Sequence, residues 1–146
     1  MENKYLVPID GSESSLRALD EAMKLGEKAQ AEIFILSVVP EVYLVDQVPN
    51  AYVYSEASGD GVLNMTKKIL ETAKERAAGY PYPVNTNYVI GNVSKEILSF
   101  ADANNISLIV MGNRGLGAFS RTFLGSISNK VINGSKVSVL VVKHKE

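Results

Sequence analysis

The residues with the clearest capacity for chemistry lie in one glycine-bearing segment, residues 112–126. Its first three glycines allow the backbone to turn sharply and to approach a ligand closely. Gly125 and Ser126 stand at the predicted start of the last helix. Unpaired N–H groups and the positive end of the helix dipole favour an anion there. The segment therefore predicts a site for a phosphate chain, and the alternative is a plain connection between a strand and a helix.

Composition excludes several other kinds of site. The 146 residues include no cysteine and one histidine, His144, so thiol chemistry, disulfides and multi-histidine metal sites are excluded. The 15 basic and 16 acidic residues give a net charge of −1, which removes the electrostatic reason to expect nucleic acid or an anionic membrane as a partner. No apolar run approaches the roughly 20 residues of a membrane span. The first residues have no signal-peptide pattern, so we expect a cytoplasmic protein.

Two common nucleotide motifs do not occur in the sequence. No Gly-x-Gly-x-x-Gly follows the first predicted strand, and no Gly-x4-Gly-Lys-Ser/Thr occurs anywhere. The sequence therefore argues against a dinucleotide-binding dehydrogenase and against a P-loop enzyme.

Two periodicities alternate along the chain and predict the elements that must position the glycine segment. Apolar runs predict strands at 5–9, 32–39, 106–111 and 137–143, and an alternating pattern predicts one at 84–90. Apolar residues at helical spacing predict helices from Ser12 to Ala29, from Val62 to Ala77 with Met65 on its apolar stripe, from Val93 to Ala101 and over 126–133. This order predicts an α/β fold for residues 1–146: a single domain with an open, parallel, five-stranded sheet and helices on both faces. Ligands of such sheets bind beyond the carboxyl ends of the strands, where the strand order reverses.

Several local signals refine this prediction. Ser12 is predicted to cap the first helix, Pro8 to end the first strand, and Gly134 to follow the last helix as its C′ residue. The alternation in 84–90 is typical of an exposed edge strand. Residues 41–61 follow neither period and predict a long surface loop of the kind that is functional or mobile.

The glycine spacing resembles that of a known family. Gly-x2-Gly-x9-Gly-Ser, beginning at Gly112 and ending at Ser126, resembles the ATP-binding signature of universal stress proteins. Residues 7–12 resemble the family's first strand and turn, and residues 137–142 its last strand. The resemblance spans the whole chain and implies a Rossmann-like fold of the adenine nucleotide alpha hydrolase-like kind, with ATP as the ligand.

The same resemblance implies a set of binding residues. Pro8, Ile9 and Asp10 would line the adenine and ribose side, and Val38 would contact adenine through its backbone. The positions implied for the ribose and the phosphates are Met111, Gly112, Gly115, Leu116, Gly117, Ala118, Gly125, Ser126, Ile127 and Ser128. Arg114 stands where the family usually has His or Arg. The chain departs from the family pattern at Ser37, where many relatives have His, at 135–138, which replace a proline-rich approach, and at 41–61, which match nothing in it.

Several of these residues have a structural alternative. Asp10 is a candidate Mg²⁺ ligand beside a triphosphate, or a turn residue that accepts from the backbone of Gly11 or Ser12. Ser126 contacts phosphate or caps its own helix. Arg114 and Arg121 are either phosphate clamps or solvated side chains. Gly91 either brings a turn near the ribose or only separates a strand from a helix. Tyr43, Tyr52 and Tyr54 belong either to a lid over the nucleotide or to a mobile loop.

The sequence and the resemblance together predict an ATP-binding regulatory module of the stress response, with slow or no hydrolysis. The alternatives are a slow ATPase or nucleotidyl-transfer enzyme on the same fold, and an interaction module that binds no nucleotide. Because residues 137–142 are apolar and end the predicted sheet, they also predict a homodimer through this strand, unless the last helix and the tail from His144 cover it.

Overall fold

The computed structural model describes residues 2–41, 60–114 and 125–143. The described elements are, in chain order, β1 (Lys4–Pro8), α1 (Glu13–Ala29), β2 (Glu32–Pro40), α2 (Asp60–Arg76), β3 (Val84–Gly91), α3 (Val93–Ala103), β4 (Leu108–Gly112), α4 (Ser126–Gly134) and β5 (Ser138–Val142). This alternation of strands and helices confirms the predicted α/β class.

The described strands form one five-stranded sheet in the order β3-β2-β1-β4-β5, and every pair is parallel. The chain builds outward from β1 to β3, then crosses back to place β4 on the other side of β1. The strand order therefore reverses between β1 and β4, which is where sheets of this kind bind ligands in a crevice beyond the carboxyl ends of the strands. β3 and β5 are the two edges, as predicted for both.

Side chains of the central strands alternate between two apolar clusters, one on each face of the sheet. Val7 and Ile35 belong to the cluster beneath α1 and α2, whereas their neighbours Leu6 and Leu36 belong to the cluster beneath α3 and α4. All four side chains are fully buried. Because neighbouring residues in a strand point to opposite faces, a continuous apolar run is what a sheet covered on both sides requires.

The predicted start of α1 and the predicted end of β1 are confirmed. Ser12 is the N-cap of α1, and its hydroxyl oxygen accepts a hydrogen bond from the backbone N–H of Ser15 at 3.1 Å. Pro8 is the last residue of β1, where its missing N–H costs no ladder bond. Asn92 caps α3 in the same way, since its side chain accepts from the N–H of Lys95 at 3.1 Å.

Two predicted helix ends are wrong. Gly134 is the last residue of α4 rather than a left-handed C′ residue, because the chain leaves the helix in an extended conformation at Ser135 (φ −75°, ψ 139°). The Ser135 hydroxyl stabilises this turn, since it donates to the carbonyl of Val137 at 2.7 Å and accepts from the N–H of Val137 at 3.1 Å. Ser126 does not cap α4, because Gly125 is the N-cap and Ser126 is the first helical residue.

Two predictions around α2 also need correction. The helix begins at Asp60, so the last two residues of the predicted loop 41–61 are helical, and residues 42–59 lie outside the described residues. Met65 was predicted on the buried stripe but its exposure is 61%. The buried side of α2 is formed instead by Thr66, Leu70 and Ala73, so Met65 lies past the edge of the apolar stripe.

Candidate functional site

The predicted site residues that the structure describes come from four pieces of chain at the carboxyl edge of the sheet. They are Pro8, Ile9 and Asp10 after β1, Val38 in β2, Met111, Gly112 and Arg114 at the end of β4, and Gly125, Ser126, Ile127 and Ser128 at the start of α4. Gly115, Leu116, Gly117 and Ala118 lie outside the described residues, as do Arg121 and the tyrosines of the predicted loop.

The turn after β1 is held by its own polar groups. The Asp10 carboxylate accepts a hydrogen bond from the N–H of Ser12 at 2.9 Å, and the N–H of Asp10 donates to the Ser15 hydroxyl at 3.4 Å. Gly11 has a φ of 88°, a left-handed conformation that glycine adopts without strain. The predicted turn role of Asp10 is therefore confirmed. Asp10 itself is exposed at the carboxyl edge of the sheet.

The end of β4 and the start of α4 are joined directly. The N–H of Gly125 donates to the carbonyl of Asn113 at 2.9 Å, and the Ser128 hydroxyl donates to the carbonyl of Gly112 at 3.0 Å. Asn113 also donates its N–H to the carbonyl of Val142 at 3.2 Å, which ties the same point to the end of β5. These bonds bring the two ends of the glycine segment together and fix the first turn of α4 against the sheet.

The first turn of α4 presents backbone rather than side-chain chemistry. Its N-cap, Gly125, has no side chain with which to accept from the first amides of the helix. Ser126 and Ile127 are exposed there, whereas Ser128 is buried with its hydroxyl engaged. A helix start of this kind is suited to an anion that brings its own acceptor oxygens.

Arg114 carries a donor without a partner. Among the described residues, its side-chain Nε is buried and has no hydrogen-bond partner. Its backbone N–H donates to the Ser14 hydroxyl at 3.4 Å. A buried guanidinium N–H that makes no hydrogen bond is costly, so the position is one that an acceptor oxygen would stabilise.

A cleft of about 310 Å³ lies at the same edge, between the start of α3 and the first turns of α4. Its lining residues are Pro40, Glu41, Gly91, Asn92, Val93, Ser94, Ile127 and Lys130. The sequence had singled out Gly91 and Ile127, but not Lys130. Lys130 could have been found from its spacing, because it stands three residues after Ile127 and so lies on the same face of the helix.

The resolved pKa shifts lie at groups other than the predicted site residues. The hydrogen bond from Arg76 to Asp20 raises the pKa of the arginine, and burial raises the pKa of Tyr80 to about 12. Within the described ranges, no three His, Cys, Asp or Glu side chains converge to hold a metal ion. No helix in that same part of the chain is long and apolar enough to cross a membrane.

Comparison with known proteins identifies the family. The profile described as "Universal stress protein family" matches residues 1–143. This chain belongs to the universal stress protein family. The universal stress protein YxiE of Bacillus subtilis is 41% identical over 148 aligned residues, which cover 98% of this chain and all of that protein. The resemblance stated from the glycine spacing is therefore confirmed at the level of the family.

Solved universal stress proteins and their relatives have the same fold. The structure of MJ0577, a universal stress protein of Methanocaldococcus jannaschii, matches with a TM-score of 0.84 at 26% identity and covers 100% of this chain and 99% of that one. A universal stress protein solved in complex with cAMP matches with a TM-score of 0.72, also at 26% identity, and covers 99% of this chain and 98% of that one. Membership of the ATP-binding subgroup stays a prediction.

Proposed function

We propose that this universal stress protein binds ATP at the crevice between the carboxyl ends of β1 and β4. In this proposal it acts as a nucleotide-dependent regulatory module with slow or no hydrolysis. The observation that carries the proposal is the buried Nε of Arg114, which has no partner among the described residues and lies within the glycine segment. The relative in complex with cAMP supports an adenine nucleotide as the ligand class.

Each part of the nucleotide has a surface of matching chemistry. Pro8, Ile9 and the backbone of Val38 would contact the base, and Met111 and Gly112 the ribose. The side chains of Ile9 and Met111 are buried in the apolar clusters, so these two residues would contact the nucleotide through their backbone. The phosphates would take the backbone N–H groups of 115–118 and 126–128 together with the guanidinium of Arg114, because the N–H of Gly125 already donates to the carbonyl of Asn113 at 2.9 Å. The contribution of Ser128 is its backbone N–H, because its hydroxyl already donates to the carbonyl of Gly112.

Mg²⁺ would enter with the nucleotide. Asp10 is exposed at the carboxyl edge of the sheet, and hard cations take carboxylate together with phosphate oxygens. The Oδ1 atom of the Asp10 carboxylate accepts from the N–H of Ser12 at 2.9 Å, so the ion and the turn would share this group.

Slow hydrolysis follows from the residues at hand. Phosphoryl transfer requires an in-line nucleophile, neutralisation of charge and a group that orients water. The sequence has neither a P-loop lysine motif nor a histidine outside position 144. We therefore infer that ATP changes a surface that a partner reads, in the cytoplasm, rather than being turned over quickly.

Fluorescent-nucleotide titration tests this proposal. We expect saturable ATP binding at or below millimolar concentration, and Arg114→Gln should raise the Kd for ATP roughly tenfold, since a hydrogen bond to a charged group is lost. Lys136→Gln is the matched control: it removes one positive charge from an exposed side chain that pairs with Asp102 at 3.6 Å, away from the crevice. This control should leave the Kd unchanged.

Two results would contradict the proposal. Absence of saturable binding would favour an interaction module that uses the glycine segment only as a connection. Single-turnover hydrolysis with Mg²⁺ near the typical enzyme rate of about 10 per second would favour an ATPase or nucleotidyl-transfer enzyme instead of a switch.

A further inference from the structure

The first turn of α1 contains three buried serines with different partners. Ser12 accepts from the N–H of Ser15 at 3.1 Å, and Ser15 accepts from the N–H of Asp10 at 3.4 Å. These two serines therefore hold the turn after β1. Ser14 is just as buried, with an exposure of 4%, but its partners lie about a hundred residues away along the chain.

Ser14 meets three successive residues at the end of β4. Its hydroxyl donates to the side-chain oxygen of Asn113 at 3.4 Å and accepts from the backbone N–H of Arg114 at 3.4 Å. Gly112 packs against its backbone so closely that a Cβ there would lie 2.8 Å from the Ser14 carbonyl carbon and oxygen. α1 and β4 are thus in backbone contact at this point, and a larger residue at 112 would separate them.

The contact continues from β4 to the start of α4. The carbonyl of Asn113 accepts from the N–H of Gly125 at 2.9 Å, so the residue that Ser14 touches also places the N-cap of α4. The Ser128 hydroxyl fixes the same helix to the carbonyl of Gly112 at 3.0 Å. A chain of hydrogen bonds therefore runs from the first turn of α1, through residues 112–114, to the helix start.

We propose that Ser14 is a positioning residue for the phosphate end of the nucleotide site. Its hydroxyl sets the placement of Asn113 and Arg114, and through Asn113 that of Gly125, relative to the turn after β1. This inference rests on the proposed function for its ligand. At 3.4 Å both bonds of the hydroxyl are long, so its role is to fix geometry rather than to supply much stability.

We therefore expect loss of the Ser14 hydroxyl to affect the base-binding and the phosphate-binding parts of the site differently. Residues that would contact the base belong to β1 and β2, whose pairing does not depend on the Ser14 hydroxyl. The amides that would hold phosphate belong to α4, whose N-cap is placed through Asn113. Loss of the hydroxyl should weaken binding of ATP while leaving binding of adenosine in place.

Ser14→Ala tests this expectation, with Ser107→Ala as the matched control. The Ser107 hydroxyl also has its partner about a hundred residues away, since it donates to the carbonyl of Lys4 at 3.0 Å and accepts from the N–H of Lys4 at 3.2 Å, but it lies at the opposite, amino edge of the sheet. We expect Ser14→Ala to raise the Kd for ATP about tenfold and the Kd for adenosine less than twofold. Ser107→Ala should change neither. Equal weakening of ATP and adenosine, or no change in either, would overturn the proposal.

Amide hydrogen exchange in the ligand-free protein gives a second, independent measurement. Ser14→Ala should speed exchange at Arg114 and Gly125, whereas Ser107→Ala should leave both amides as in the parent protein. Unchanged exchange at Arg114 and Gly125 would overturn the positioning role whatever the affinities are. If the parent protein binds no ATP, the proposed function fails, and the exchange rates still decide whether Ser14 places these residues.

Discussion

At the scale of single residues, hydroxyls and backbone amides hold the candidate site together. The sequence predicted those with near partners, such as the Ser12 cap and the Asp10 turn, because local spacing is enough to define them. It could not predict that Ser14 meets Asn113, or that Ser128 meets Gly112, since those pairs are created by the sheet order. The resemblance predicted Arg114 as a site residue, but only the folded structure shows that its Nε is buried.

Tyr80 shows how one half-buried tyrosine makes the free energy of unfolding depend on pH. Its O–H donates to the carbonyl of Ala31 at 2.5 Å, and burial raises its pKa to about 12 from the ordinary value of 10.0. Tyr80 stays protonated to a higher pH in the folded state than in the unfolded state. Its contribution to the free energy of unfolding is therefore complete below pH 10 and is lost as the pH rises towards 12. Urea unfolding across this range should therefore show falling stability.

Tyr80→Phe provides the comparison for that measurement. The variant should be less stable than the parent at neutral pH, because the carbonyl of Ala31 loses its donor, and its stability should fall less steeply above pH 10. Since other tyrosines and lysines titrate in the same range, the difference between the two slopes is the informative quantity. Parallel slopes would show that Tyr80 titrates normally.

At the scale of elements, periodicity predicted the type and order of every described helix and strand. A predicted helix end was wrong where a side chain after the helix determines how the chain leaves it. Gly134 suggested a left-handed end for α4, but Ser135 bonds to Val137 and directs the chain straight into β5. Helical spacing also placed Met65 with the buried residues of α2, and only the packing of that helix shows which residues fall outside the contact.

The close approach of α1 to β4 leads to a prediction for Gly112. A methyl group at this position would lie 2.8 Å from the carbonyl of Ser14, so Gly112→Ala must push α1 and β4 apart. We expect it to lower the free energy of unfolding by roughly 1–3 kcal/mol. Urea denaturation with Gly79→Ala as the control checks this, because a Cβ at Gly79 would meet nothing within 4 Å. Equal stability of the two variants would show that α1 and β4 are not in tight contact.

At the scale of the whole molecule, the order of elements was sufficient to predict the sheet and the place of its crevice. A chain of parallel strands linked by helices has few arrangements, and their ligand sites share one edge. The sequence did not give the strand order, and the structure shows that β1 and β4 adjoin where the order reverses. The sequence could not reveal the cleft beside Lys130, because that cleft forms where two helices distant in sequence meet.

The position of β5 at one edge leads to the prediction of a homodimer. We expect light scattering to give twice the chain mass of 15.8 kDa for the parent protein, and the chain mass itself for Val139→Lys/Val141→Lys. Both valines also pack against the cluster beneath α3 and α4, so circular dichroism must confirm that the variant is folded.

The opposite edge supplies the control for that experiment. Tyr88 and Ile90 on β3 are 42% and 44% exposed, and lysine at both positions should leave the dimer intact. A folded Val139→Lys/Val141→Lys variant that is still dimeric would contradict pairing through β5, and so would a parent protein that is monomeric.

The most direct test of the proposed nucleotide site is a crystal structure of the protein grown with excess ATP and Mg²⁺. We predict a triphosphate whose oxygens accept hydrogen bonds from the first amides of α4, after Gly125, and from the Nε of Arg114, with the base beside Val38. An unoccupied crevice, or a nucleotide bound only in the cleft beside Lys130, would contradict the proposal.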